Sequence, residues 1–559
     1  MHDLRSYLEK VARTVPDQII KVEEPVDYEY AVTERVEEAA KSYCNPAILF
    51  HRVKGSSMPL LINLFGHLDR VKLALEGAEQ PINSRLEFYS AWNGLVAKRI
   101  LPVQVKDGPV KEVRQRGGDV DLASLPVLKF YEQDGGRYIT SGLVTARDPD
   151  RPDVVNLSYA RMQVKGRNRL ATSLHSRGNM WSYYERSKAL GRPLDIAITI
   201  GAHPAIYLAA AAKITDEYLV AGSLLGEPVE LVRCETVDIP VPASAEIILE
   251  GRITLDEEDE GPFTEYTGYL SGRSTRNLVE VNCITRRRDA IYHTIMPSNS
   301  DEHLLLSGLP KQARIYGAIK GFSPMPAVRD IYWPPSGTHY ICLLSLDRSV
   351  SGVPGLAKHL ALLAFGLDPY LKLVAVFPDD VEVSDLGAVL GAIAGRCDMV
   401  EGAGVQFISG VLSHRLDPSS VIEGVSSKML VDATSRLKDF VAPEPILPHR
   451  LKGCGVVDAY YPFCDSRLMI LKAKPGSLVR AILKDSLGFA SLVICVDEDV
   501  DIRDLRQVVW AVSTRFQPVE DVVFSDGRMG VDGTRPPGWK ARLATIPRAG
   551  SGPEASRLG

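Results

Sequence analysis

A chain of 559 residues, 45% hydrophobic and 24% charged, is long enough for two to four globular domains with sizeable cores. Its formal net charge of −5 gives no electrostatic reason to expect a nucleic acid or an anionic membrane as partner. The start, MHDLRSYLEKVARTV, lacks an apolar h-region, and nowhere is there a run of the roughly eighteen apolar residues that a spanning helix needs, so a secreted or membrane-spanning protein is not expected. Eight cysteines are scattered without a CxxC pair and read as reduced thiols of a cytoplasmic protein.

Residues 3–13 are predicted to form an amphipathic helix with Leu4, Tyr7, Leu8 and Val11 on one face. A helix over AVTERVEEAAKS and strands over AILFHRV and PLLINLF follow, a βαβ-like beginning that makes residues 1–108 an N-terminal α/β domain. Residues 109–325 carry mostly short strands: YITSGLVTARD, VVNLSYARMQV, DIAITIG, AEIILEGRITL, LVEVNCITRR and AIYHTIM. One helix near Met180–Leu190 interrupts them, and a second is expected at Tyr207–Lys213. This middle section reads as a β-rich barrel or sandwich with helical insertions.

From about residue 310 the texture turns to α/β and the chain repeats itself. LKLVAVFPDDVEVSDLGAVLGAIAGRCDM (371–399) is similar to ASLVICVDEDVDIRDLRQVVWAVSTRFQP (490–518), so that Asp380, Asp385 and Arg396 correspond to Asp499, Asp504 and Arg515. SSKMLVDAT (426–434) likewise echoes DGRMGVDGT (526–534). Two copies of one strand–helix unit are expected, at 326–440 and 450–545, with residues 546–559 a disordered tail.

The stretch Asp256–Tyr269, DEEDEGPFTEYTGY, places Glu260 and Glu265 on either side of Gly261-Pro262. In a strand such residues face opposite ways, so a turn at Gly-Pro is needed to bring both to one site. Paired carboxylates can split their pKa values and supply a general acid. Taken alone, the stretch also reads as an acidic surface loop. NLSYAR (156–161) poses the same parity problem, because Asn156 and Arg161 share a site only if a bulge intervenes. His175 in LHSRGN and Glu217 in TDEYLVAG join Asn156 as oxygen and nitrogen donors suited to Mg²⁺ or Mn²⁺. Singly, each has a plainer reading: Arg161 as a surface ion pair, His175 as a structural histidine, Glu217 as an exposed helix-end or loop acid.

NLFG (63–66), LPVLKFYEQDGGRYIT (125–140), NLSYAR, GEPVELVRCETVDIPVPASAEIILEG (226–251) and EGPFTEYTGY (260–269), in that order and spacing, resemble the UbiD family of reversible decarboxylases over almost all of the first 330 residues. The resemblance implies an α/β (α+β) protein. Its centre would be a split β-barrel like that of flavin reductases, flanked by an N-terminal α/β domain and a C-terminal α/β region that here carries an internal duplication. It implies prenylated FMN, supplied by a flavin prenyltransferase and held through its phosphate by Mn²⁺ (or Mg²⁺) and K⁺. Arg161, Glu260 and Glu265 correspond to the catalytic network. Asn156, Ser158, Tyr159, Ala160, Arg161, His175 and Glu217 correspond to the cofactor-binding set, and Asn156, His175 and Glu217 within it to the metal ligands. A gapless comparison with a family member places Asn179 where the third ligand stands; His175, the nearby histidine, is taken here.

The family's C-terminal ending is expected once, whereas this chain shows it twice, with WAxxTR kept only at Trp510–Arg515. Lys372 and Lys484 are both candidates for the cofactor phosphate. The substrate class implied is an aromatic, heteroaromatic or α,β-unsaturated acid, decarboxylated by a homo-oligomer (dimer or hexamer). The same reaction run physiologically toward carboxylation, a non-catalytic subunit or scaffold of a carboxylase complex, and an oxidoreductase using plain FMN are the alternatives.

Overall fold

The computed structural model describes residues 2–174, 178–322, 327–435, 451, 454–463, 465–475 and 477–547. The chain divides into two compact units, residues 1–310 with 542–559, and residues 311–541.

The first unit opens with the helix Leu4–Thr14. Asp3 accepts the Ser6 N–H and Ser6 returns a bond to the Asp3 backbone, a capping box, while Leu4, Tyr7 and Val11 are buried. Next comes a four-stranded sheet in the order Ile19–Val22, Ala47–Phe50, Leu60–Ile62, Tyr292–His293. Its last member corrects an expectation, because AIYHTIM was assigned to the barrel. Tyr292 and Thr294 instead donate their amides to the Pro59 and Leu61 carbonyls at 2.8 and 2.9 Å. Alternation along a strand reports a buried face but not which sheet covers it.

The large sheet runs in the order Tyr138–Ile139, Met162–Val164, Arg169–Thr172, Ser274–Arg286, Ile247–Glu260, Leu194–Ile200, Leu143–Arg147, Val155–Tyr159, with Val113–Arg116 also paired to Ser274–Arg286. Every pairing in it is antiparallel. VVNLSYARMQV, expected as one strand, is two, and they stand near opposite ends of this order. Only Ala160 and Arg161 join them. Three steps of 3.8 Å allow the ends at most about 11 Å of separation, so the sheet has to curl into a split barrel. Ile198, Leu249, Val279, Val281 and Ile284 are among the side chains that fill it.

Helices Asn179–Ala189 and Pro204–Ala211 lie close to their expected positions. Glu217–Leu225, EYLVAGSLL, is a further helix, apolar and buried almost all round. With no polar face it has no periodicity to read, and the reading of Glu217 as an exposed acid is overturned by its burial.

The second unit contains two five-stranded sheets of one topology. The first is ordered Val328–Tyr332, Ile341–Leu346, Leu373–Pro378, Val425–Asp432, Val405–Leu412; the second Val456–Tyr460, Leu468–Ala473, Leu492–Asp497, Arg528–Gly533, Val522–Ser525. The repeat extends to side chains. Asp385 and Asp504 each cap the helix that follows by accepting two backbone N–H bonds. Asp380 pairs with Arg396 at 2.7 Å, and Asp499 with Arg515 at 2.8 Å.

Lys372 is withdrawn as a phosphate ligand. Its buried ammonium donates to Asp417 Oδ1, Ser419 Oγ and the Phe516 carbonyl, each at 3.0 Å, which uses all three of its protons inside this unit. The seven described cysteines form no disulfide, and no described helix is long and apolar enough to cross a membrane.

Candidate active site

The break between the two halves of NLSYARMQV sets the first functional side chain. Because the chain leaves strand geometry at Ala160–Arg161, the parity of the preceding strand no longer applies to Arg161. Its Nε donates to Glu260 Oε1 at 2.9 Å and its Nη2 to Glu260 Oε2 at 3.2 Å, the two-pronged geometry that guanidinium and carboxylate share. Nη1 donates to Glu265 Oε1, and Nη2 also reaches Ser271 Oγ at 3.4 Å. Arg161 Cζ lies 4.9 Å from the centre of the Phe263 ring. Glu260 is fully buried and Glu265 nearly so. Burial works to lower the Arg161 pKa, but Glu265 and Glu260 override it and push it up, so the guanidinium is locked in its charged form.

The turn required between the two glutamates is present. Glu260 ends its strand, Gly261 takes φ +93°, and a Cβ there would lie 2.9 Å from the Gly272 carbonyl. The chain then re-enters a short hairpin, Phe263–Thr264 against Leu270–Ser271. The Glu265 amide donates to the Tyr269 carbonyl at 2.9 Å. Asp134, from the EQDGGR turn, holds the hairpin from beneath, accepting Thr264 N–H and Oγ–H on Oδ1 and Tyr131 N–H on Oδ2 at 2.9, 2.9 and 3.0 Å.

Burial raises the Asp134 pKa from 3.8 to about 6 against the pull of those hydrogen bonds. The folded state therefore holds more protons than the unfolded chain between these values, and stability falls as pH rises through that window. Relative to Asp134→Asn, the wild type is expected to lose about 2–3 kcal/mol between pH 4 and 6 and nothing further above 7. Urea denaturation of both proteins across this range measures it, and a constant difference would refute the assignment.

Asn156 and Glu217 also come together. Glu217 Oε2 accepts the Leu157 N–H at 3.2 Å, and Asn156 Oδ1 accepts from Asn179 Nδ2 at 3.0 Å, while the buried Asn156 Nδ2 has no partner among the described residues. Burial pushes the Glu217 pKa up to about 7, and no cation among the described residues contributes to offset it. A buried carboxylate with no countercharge among the described residues, beside the incompletely satisfied amide of Asn156, fits a hard cation with oxygen ligands. His175 lies outside the described residues. Asn179, which the gapless comparison brought to the third position, is the residue found bonded to Asn156.

Ser158 and Ala160 are half-buried, and Tyr159 turns its hydroxyl to the Tyr207 carbonyl at 2.8 Å. A second donor cluster, His2, Glu76 and His203, is an ion-pair network rather than a metal centre. His203 Nδ1 accepts the Ala205 N–H at 3.1 Å, so Nε2 carries the proton, and Lys10 already engages Glu76 at 3.1 Å.

A split barrel that sets one guanidinium between two buried carboxylates has groups suited to acid–base chemistry. Models of the N-terminal, Rift-related and C-terminal domains of UbiD, 3-octaprenyl-4-hydroxybenzoate carboxy-lyase, match residues 15–87, 102–300, and 304–433 with 456–537. The anhydromevalonate phosphate decarboxylase of Methanothermobacter thermautotrophicus is 32% identical over 444 residues, covering 78% of this chain and 97% of that protein. The UbiD-class enzyme HmfF of Pelotomaculum thermopropionicum in complex with FMN is 34% identical with a TM-score of 0.70, over 79% of this chain and 95% of that one. Its evolved dimeric form in complex with prFMN is 32% identical with a TM-score of 0.69, over 79% and 97% of the two chains. The chain belongs to the UbiD family and is a carboxy-lyase. The C-terminal model matches two separate stretches, 304–433 and 456–537, the first holding one five-stranded sheet and the second the other.

Proposed function

We propose that this protein decarboxylates, reversibly and without oxidation, an aromatic, heteroaromatic or α,β-unsaturated acid with the aid of prenylated FMN. The observation that carries this reading is Arg161 bonded at once to Glu260 and Glu265. Loss of CO₂ from an sp² carbon leaves an electron pair that no side chain can accept, and the bound flavin supplies that electron sink. Asn156 and Glu217, with His175 or Asn179, would hold Mn²⁺ or Mg²⁺ at its phosphate, with K⁺ alongside, and Ser158, Tyr159 and Ala160 would line it.

The rest falls to this chain's own residues. Glu260 accepts hydrogen bonds from Nε–H and Nη2–H of Arg161, which fixes the plane of the guanidinium. The Nη1 edge, now engaged by Glu265, is the edge a substrate carboxylate would occupy. Its arrival competes with Glu265 for those donors; the displaced carboxylate takes up a proton from solvent and delivers it to the carbon in place of CO₂. In the carboxylation direction Glu265 is the base. A homo-oligomer, dimer or hexamer, is the assembly proposed.

The test is native mass and absorbance of the protein co-expressed with a flavin prenyltransferase, then CO₂ release from a panel of acids. Cinnamate, 4-hydroxybenzoate and 2-furoate belong in it, as does anhydromevalonate phosphate, the compound named for the Methanothermobacter relative. Prenylated FMN is expected in the wild type and lost in Asn156→Ala and Glu217→Ala. Plain FMN with NAD(P)H-dependent reduction would replace this reading with an oxidoreductase. A protein left empty with Mn²⁺ and K⁺ present would replace it with a non-catalytic subunit.

A further inference from the structure

The Glu265 hairpin does not stand by itself. After residues 311–541 the chain returns to the barrel unit at Arg542 and runs alongside the hairpin. Leu270 N–H donates to the Arg542 carbonyl at 2.9 Å, Ala544 N–H to the Gly268 carbonyl at 3.2 Å, and Leu543 faces Tyr269 in an antiparallel bridge. The residue so bridged, Tyr269, is the one whose carbonyl holds the Glu265 amide.

One residue further on, the same segment is stapled to the other support of the hairpin. Glu132 N–H donates to the Thr545 carbonyl at 3.0 Å, Thr545 N–H to Gln133 Oε1 at 3.0 Å, and Gln133 Nε2 to Thr545 Oγ at 2.6 Å. Gln133 precedes Asp134, which holds Thr264, and Thr264 precedes Glu265. The hydrogen bonds thus close a ring: Glu265 to Tyr269, across to 542–545, across to Gln133, through Asp134 to Thr264, and back. Ala544 and Ile546 pack on the barrel core, which anchors the segment. Residues 542–546 therefore belong to the barrel unit rather than to the second α/β copy and its tail.

We propose that Arg542–Ile546 is a strap that positions Glu265, with Gln133 and Thr545 as its positioning residues. An isolated two-stranded hairpin is marginal in water, and a third strand with side-chain staples is what orders it. The site is complete only when the chain is complete through Ile546. The consequence for catalysis rests on Glu265 being the proton donor; the ordering of the hairpin does not.

The test is amide hydrogen exchange, by mass spectrometry of peptides spanning 262–272, on the full chain, on a form stopped after Ala541, and on full-length Gln133→Met, Thr545→Pro and Thr545→Ser. Exchange over 262–272 is expected to quicken at least roughly tenfold in the truncated form and in Thr545→Pro, and by less in Gln133→Met. It should stay slow in Thr545→Ser, which keeps both the N–H and the hydroxyl. Strands 247–257 and 277–286 should be unchanged, and a synthetic 540–547 peptide should restore protection to the truncated form. With prenylated FMN bound, kcat should fall in Thr545→Pro while KM for the same panel acid holds. Unchanged exchange over 262–272 in all variants would overturn the strap, as would loosening spread evenly through the barrel; the point variants decide if the truncated chain fails to fold. Loosening of the hairpin in a wild-type background that decarboxylates none of the panel would leave the strap standing and remove the decarboxylase reading instead.

Discussion

Glu265→Gln is expected to lower turnover by roughly 100- to 10,000-fold, the range a positioned general acid contributes, while leaving the cofactor bound. Gln keeps the size of Glu and an oxygen for Arg161 Nη1 to donate to, so the guanidinium keeps its orientation toward Glu260. What it lacks is a proton to give. The loss should therefore fall on kcat, and in D₂O the residual product should still take up deuterium, delivered slowly from solvent. Single-turnover CO₂ release together with the absorbance of bound flavin measures both. A variant turning over near the wild-type rate would remove Glu265 from the role of proton donor.

Arg161→Met is expected to unfold several degrees earlier than the wild type. Glu260 has no exposed surface, and its carboxylate is held by two of the guanidinium's N–H groups. Removing one partner of a buried ion pair strands the other, at a cost of about 3–5 kcal/mol. The double variant Arg161→Met/Glu260→Gln should recover part of that loss, since the fully buried Glu260 charge is gone and only Glu265 is left without its partner, yet it should stay inactive because nothing is left to hold the substrate carboxylate. Thermal unfolding of the single and double variants checks this. A single variant as stable as the wild type would mean that Glu260 is not held as an anion by Arg161.

Much of the chemistry was legible from local pattern. The paired glutamates around Gly-Pro, the NLSYAR arginine and the repeat of residues 371–399 at 490–518 all rest on short stretches whose spacing sets turn, strand and helix directly. The two sheets of equal strand order and the matched pairs Asp380–Arg396 and Asp499–Arg515 follow from that repeat. Glu217 was picked out for its donor chemistry, although its helix was invisible because an element buried on all sides has no polar stripe.

The sequence by itself determined the residue types, the turn that joins Glu260 to Glu265, and the alternation that makes a barrel. Tertiary structure alone decided three things: that NLSYARMQV breaks in two at Arg161, that Tyr292–His293 joins the N-terminal sheet, and that Thr545 staples Gln133 from 412 positions away. The reason is physical. A residue's period and turn preference are set by its immediate neighbours, whereas the partner of a strand edge or of a buried amide is whichever distant segment can satisfy its hydrogen bonds, and that choice is made only when the sheets close.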